Sequence, residues 1–173
     1  VTSAARLLRE RGVDGASVAD VMTDAGMTHG GFYRHFETKD DLVEVALDRA
    51  FDQHLNATEQ RLDDSADVTV IEGFIAQYLS DEHVAHMGQG CPVAALSSDM
   101  ARAPEGVRAR FAEGVKRMIR FVSRTYSGSP AQRRAKAYRQ LAMMAGAVAL
   151  ARACDRETAD EILAACRGAA RPG

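Results

Sequence analysis

Long apolar runs, paired cysteines, strand patterning and catalytic fingerprints are all missing from this 173-residue sequence, and each absence removes a class of protein. No apolar stretch approaches the roughly 18 residues that a membrane-spanning helix requires. The segment from Val1 to Gly12 carries arginines where a secretory signal would be continuous hydrocarbon. The expected address is therefore the cytoplasm, with no membrane partner. Cysteines number three, Cys91, Cys154 and Cys166, an odd count without a C-x-x-C pair, so they read as reduced thiols. There is no Ser-His-Asp pattern, P-loop or dinucleotide glycine motif, and the carboxylates fall on charged faces. Neither an enzyme nor a cofactor is expected, and no internal repeat or low-complexity tract occurs.

What is present suits a soluble helical protein. Hydrophobic residues make up 46% and charged residues 27%, enough to bury a core in a chain of this length. A net charge of -2 does not advertise nucleic acid, but its distribution is uneven. Glu37 to Glu82 holds 13 acids against 3 bases, whereas Arg102 to Arg139 holds 11 bases against 2 acids. A DNA reader on this chain has to work through a few placed groups.

Apolar residues recur at helical spacing throughout, so the fold class is all-α with about nine helices. Ala4, Ala5, Leu7 and Leu8 form a first helix that stops at Gly12. Ser17-Val18-Ala19-Asp20 is a capping box that opens a second, and Gly26 ends it. Thr28 caps a short third helix running to Phe36, and Thr38-Lys39-Asp40-Asp41 opens a long fourth that reaches about Leu62. Asp63-Asp64-Ser65 reads as a linker. Val70, Ile71, Phe74, Ile75, Tyr78 and Leu79 give an amphipathic fifth helix ending between Asp81 and His86. Pro92, Pro104, Ser129-Pro130 and Asp155 open the sixth to ninth. The expected division is an N-terminal three-helix domain, residues 1–46, and a larger helical domain, residues 47–173.

Function concentrates between Ser17 and Lys39. A capped helix, a turn around Gly26 and a second short helix are the sequence form of a helix-turn-helix, whose second helix enters the major groove of double-stranded DNA. That helix presents Thr28, His29, Gly30, Gly31, Tyr33, Arg34 and His35, while Phe32 and Phe36 anchor it. The two glycines let backbone approach DNA, and the Tyr, His and Lys side chains can reach phosphate oxygens. Lys39 adds charge at the start of the fourth helix, where backbone N–H groups suit an anion.

The run Ser-Val-Ala-Asp-Val-Met-x-x-Ala-Gly-Met-Thr-x-Gly-Gly-Phe-Tyr-Arg-His-Phe-x-x-Lys-x-x-Leu, from Ser17 to Leu42, resembles the N-terminal signature of the tetracycline-repressor (TetR) family. The resemblance covers roughly residues 4–50. It implies that Thr28, His29 and Gly30 face bases, and that Ser17, Tyr33, His35 and Lys39 hold phosphates. It further implies an all-helical homodimer that represses transcription until a small-molecule effector releases it from a pseudo-palindromic operator. Two departures stand out. The basic arm that often precedes the first helix is absent, and the Gly30-Gly31 pair costs about 1 kcal/mol per glycine in helix propensity, so the recognition helix is expected to firm up on DNA. The first helix is already under way at Val1, so such a chain is expected to begin earlier.

Beyond residue 50 the resemblance is architectural, apart from Gly90-Cys91-Pro92-Val93-Ala94-Ala95-Leu96, which is similar to a segment in some branches of the family. Phe74, Tyr78, Met87, Met100, Phe111, Met118, Phe121 and Met144 are a flexible apolar set that either lines an effector pocket or is ordinary core. The small residues from Ala142 to Ala151, with Ile162, Leu163 and Cys166, suit a dimer interface through the eighth and ninth helices. Asp81, Glu82, His83, His86 and Cys91 have the composition of a metal site in mixed spacing, and a solvated helix end is the preferred reading, with no metal assigned. Cys91, just before a helix, is either a redox-responsive thiol or a buried structural one. The basic stretch from Arg102 to Arg139 reads as solvated faces, or as the complement of an anionic effector such as an acyl-thioester. A rival assignment is a helical small-molecule or thiol-redox sensor without sequence-specific DNA binding.

Overall fold

In a computed structural model that describes residues 1–63 and 70–170, regular structure is helical, with no strand among the described residues. Ten α-helices appear there: α1 (Thr2–Gly15), α2 (Val18–Asp24), α3 (His29–Phe32), α4 (Lys39–Asp63), α5 (Val70–Tyr78), α6 (Asp81–Ala85), α7 (Pro92–Met100), α8 (Glu105–Ser123), α9 (Pro130–Ala153) and α10 (Arg156–Ala170). A single 3-10 turn, Met87–Gln89, precedes α7. None of the described helices is long and apolar enough to cross a membrane. The expected linker lies, beyond Asp63, outside the described residues.

The tenth helix comes from a break that apolar periodicity does not register. Ser80 ends α5 and starts α6: its Oγ donates to Gln77 O (2.8 Å) and accepts from His83 N (3.1 Å). One hydroxyl thus satisfies orphan groups on both sides and separates what reads in sequence as a single helix. Three further starts carry reciprocal caps. Ser17 and Asp20, Thr38 and Asp41, and Ser129 and Gln132 each exchange side-chain and backbone bonds across three residues. Asp155 Oδ1 accepts from Thr158 N at 2.9 Å to start α10.

The chain divides into two compact units, Val1–His54 with Met87–Gly114, and Leu55–His86 with Val115–Gly173. The first has a continuous core in which Leu7, Leu8, Val21, Phe32, Val43 and Leu47 meet Leu96 and Val107, so α7 and the start of α8 pack with the N-terminal helices. A buried charge lies within it. Arg9 donates to the Ala5 carbonyl (3.0 Å), the Gly90 carbonyl (3.2 Å) and Gln53 Oε1 (2.8 Å). Burial pulls this guanidinium down to about 10, partly offset by Cys91 and Glu10.

In the second unit, Phe74, Tyr78, Met118, Met144, Val148 and Leu163 are buried. Arginines close its helix ends. Arg167 donates to Leu79 O (2.7 Å), just past α5, and Arg152 donates to His83 O (2.7 Å) and Val84 O (3.2 Å) in α6. Carbonyls that lack an intrahelical partner are thereby satisfied by cations that also suit the negative helix end.

Gly114 tests the packing of the first unit, because a Cβ there would stand 2.1 Å from ring carbons of the fully buried Phe51. Gly114→Ala should lower unfolding stability by about 1–3 kcal/mol through overpacking, despite alanine's better helix propensity, as read by urea denaturation.

Candidate nucleic-acid interface

The candidate DNA-reading segment is shaped by one turn. At the end of α2, Gly26 takes φ 65°, a conformation that costs glycine nothing. Its N–H donates to Thr23 O (3.1 Å) while Met27 N donates to Met22 O (2.8 Å), the paired bonds of a Schellman stop. The chain then turns into α3 at Thr28. Thr28 holds the N-cap backbone conformation, φ -76° and ψ 153°, but its hydroxyl makes no capping bond, unlike the cap expected from sequence. Regular helix ends at Phe32, four residues before the expected Phe36, although His35 N and Phe36 N still donate to Phe32 O at 2.9 and 3.1 Å.

Aromatic packing fixes which side of this segment faces out. Phe32 is buried and stacks on Phe36 with ring centroids 5.6 Å apart. Tyr33 meets the Phe32 ring edge-on at 5.1 Å yet remains 67% exposed. Gly30, Arg34 and His35 are exposed and Gly31 is half-buried; the His29 side chain lies outside the described residues. A Cβ on Gly30 would meet nothing within 4 Å, and one on Gly31 only ordinary contacts with Met27 and Thr28. Packing within the chain therefore does not require glycine at either place.

Two expected phosphate contacts have internal duties. The Ser17 hydroxyl donates to Asp20 Oδ2 at 2.5 Å, and these Ser17 bonds hold the Asp20 carboxyl below the usual carboxylate range. Lys39 Nζ donates to Val13 O at 2.6 Å, which uses one of its three N–H groups and leaves two. The backbone N–H groups of Glu37 and Thr38 are already bonded to Asp41 Oδ2, at 3.1 and 2.9 Å. Acids on α2 are also paired: Asp24 with Arg6, and Asp20 with Arg11 at 3.8 Å. Ser3 first and Arg6 next hold the Asp24 carboxyl low. These arginines offset negative charge that would repel phosphate.

The candidate effector residues separate into two groups. Phe74 packs edge-on against Tyr78 (5.6 Å) and Phe121 (5.8 Å), and the buried Met118 and Met144 share their unit. Gln140, also buried there, donates to Met144 Sδ (2.9 Å) and accepts from the Tyr126 hydroxyl (3.1 Å). Met100 and Phe111 belong to the core of the first unit, where Phe111 meets Phe51 at 5.6 Å, and Met87 is exposed in the 3-10 turn. Cys91 is fully buried at the N-cap of α7. His83 Nδ1 contacts Tyr78 O at 2.6 Å and His86 Nδ1 contacts Glu82 O at 3.0 Å, so both rings are engaged with backbone carbonyls. Among the described residues no group of three or more His, Cys, Asp or Glu converges as a metal site. Sequence reasoning missed Asp99, whose Oδ2 accepts from Val13 N at 2.8 Å; a lone acid 86 residues away leaves no pattern to find it by.

Residues 1–46 match the profile of bacterial regulatory proteins of the tetR family. No curated protein sequence matches the chain. Among solved structures, the reduced form of NemR from E. coli aligns over 98% of this chain and 95% of its own, with 19% identity and a TM-score of 0.76. A TetR transcriptional regulator from Legionella pneumophila aligns over 96% and 90%, with 16% identity and a TM-score of 0.78. AibR, solved with isovaleryl coenzyme A and operator DNA, aligns over 96% and 93%, with 18% identity and a TM-score of 0.63. The fold along the chain is that of these regulators, and its N-terminal segment carries the family's profile.

The open space around Gly30 separates structure from recognition. Gly30→Ala should raise stability by about 0.4–1 kcal/mol, because alanine narrows the unfolded ensemble and favours helix. Its methyl should also hold the backbone away from DNA, so thermal melting and duplex titration are expected to move in opposite senses.

Proposed function

We propose that this protein is a ligand-responsive repressor in which residues 1–46 read a pseudo-palindromic operator and residues 47–173 bind an effector and dimerise. The observation that carries the reading is the short, Phe32-anchored α3 with an exposed Tyr33 and an uncrowded Gly30, set in a segment with the tetR profile. Thr28, His29 and Gly30 are assigned to the bases and Tyr33, His35 and Lys39 to phosphates, with Gly31 and Arg34 beside them, while Ser17, whose N–H and hydroxyl both donate to Asp20, is left to capping. Tyr33 keeps 67% of its surface exposed beside the open glycines, where a phosphate can reach it. The redox-sensor alternative is not favoured, since it leaves this surface without a role.

Dimerisation is assigned to α9 and α10. Met144, Ala145, Ala147, Val148 and Ala151 face inward on α9, while Tyr138, Ala142, Gly146, Ala149 and Leu150 are exposed. A Cβ on Gly146 or on Gly168 in α10 would meet nothing within 4 Å, so small residues leave room for a second copy. Two-fold pairing would set recognition helices about 34–36 Å apart. Leu150→Glu should convert dimer to monomer in sedimentation and abolish high-affinity operator binding.

The effector site is assigned to the second unit, around Phe74, Tyr78, Met118, Phe121 and Met144. From Val115 to Cys154 the sequence contains no Asp or Glu, while Arg120, Arg133, Arg134, Lys136 and Arg139 crowd the ends of α8 and α9. This charge favours an apolar effector with an anionic end, in keeping with the acyl coenzyme A bound by AibR. To swing the two states from 99:1 to 1:99, it must bind one about 10⁴-fold better than the other. The expected setting is the cytoplasm.

Selection from a random duplex pool with the dimer should yield half-sites about one helical turn apart, bound at least about 10³-fold more tightly than unrelated duplex. Salt-sensitive binding with no preferred sequence would overturn the repressor reading.

A further inference from the structure

The contacts around Val13 join Lys39, an expected phosphate residue, to Asp99, which neither expected site includes. The N–H of Val13 donates to Asp99 Oδ2 in α7 (2.8 Å), and its carbonyl accepts from Lys39 Nζ at the start of α4 (2.6 Å). One residue of α1 is thereby held from both sides by charged groups of two other helices, and all of them lie in the first unit. The backbone is shaped for this: helical conformation breaks at Gly12, φ 75° and ψ 174°, which frees the Val13 N–H from the helix ladder. Asp99 also fills the place where a side chain on residue 12 would be, 2.7 Å from an added Cβ, so only glycine lets the carboxylate in.

We infer that Asp99 is a positioning residue for DNA reading, holding Val13 so that Lys39 and the recognition segment before it keep their placement. The inference rests on α3 being the recognition helix. Lys39 lies seven residues after Phe32, with the intervening turn closed by the Thr38–Asp41 box, so its anchorage on Val13 fixes the C-terminal side of α3. A charge-assisted bond to a part-buried N–H is stronger than a neutral one and leaves an unsatisfied donor when removed. Asp99 touches no DNA-facing residue, and its effect travels through Val13.

The test uses the full-length protein, a duplex selected by the wild type from a random pool, and an unrelated duplex. Asp99→Ala should speed Val13 amide exchange about tenfold or more, as seen by NMR, and cut the preference for the selected duplex by about tenfold. Circular dichroism should stay helical. Asp99→Asn keeps an acceptor oxygen and should recover most of both losses. Asp99→Ser, too short to reach Val13, takes the place of alanine if that variant does not fold. Unchanged Val13 exchange, an unchanged preference, or an asparagine variant no better than alanine would each overturn the inference. A wild type that selects no sequence removes the regulator reading and this role together, while the exchange data still show whether the clamp exists.

Discussion

A helix of four residues cannot hold its shape in water, because its nucleation cost is never recovered by propagation. Everything about α3 therefore depends on what Phe32 is buried against. The Phe32 ring reaches the core shared by α1, α2 and α4, and the stacked Phe36 seals the turn behind it. The shape of α3 is thus a property of the surrounding packing more than of its own residues. Glycines at 30 and 31, poor helix formers, are tolerable only because that packing supplies the order.

The same dependence explains why α7 and the beginning of α8 share a core with the N-terminal helices. Three short elements cannot bury enough apolar surface alone, and Leu96, Met100 and Val107 complete the core from the middle of the chain. Polar links follow the apolar ones. Arg9 ties α1 to α4 and to the loop before α7, and its buried charge tolerates that position because four oxygens accept from it.

Local chemistry made much of this legible from sequence. Capping boxes at Ser17 and Thr38 and the Ser129-Pro130 pair announced helix starts, Gly26 announced the turn, and the Phe32–Phe36 spacing announced the anchored face. These signals act within about four residues, where sequence distance and spatial distance agree. Contacts over long separations left no such trace: Asp99 with Val13, and Arg152 with α6, join residues whose types are common on any helix surface. The Ser80 break stayed hidden because apolar spacing continues across it, although Ser80 with Asp81 and Glu82 has the makings of an N-terminus. The eight apolar effector candidates could not be sorted by composition, since Met100, Phe111 and Met118 look alike until the fold assigns them to different units.

The Arg9 junction bears on the order in which the chain acquires its shape. Its bond to Gly90 spans 81 residues, and the neighbouring Val13–Asp99 bond spans 86. During synthesis the helices of residues 1–46 lack these partners until a further 81 to 86 residues have followed Arg9 and Val13. Such long-range closure is slow relative to local helix formation. Residues 1–46 are therefore finished only after the stretch from Gly90 to Asp99 has joined them, so the helix-turn-helix segment gains its final shape later than its place in the chain suggests.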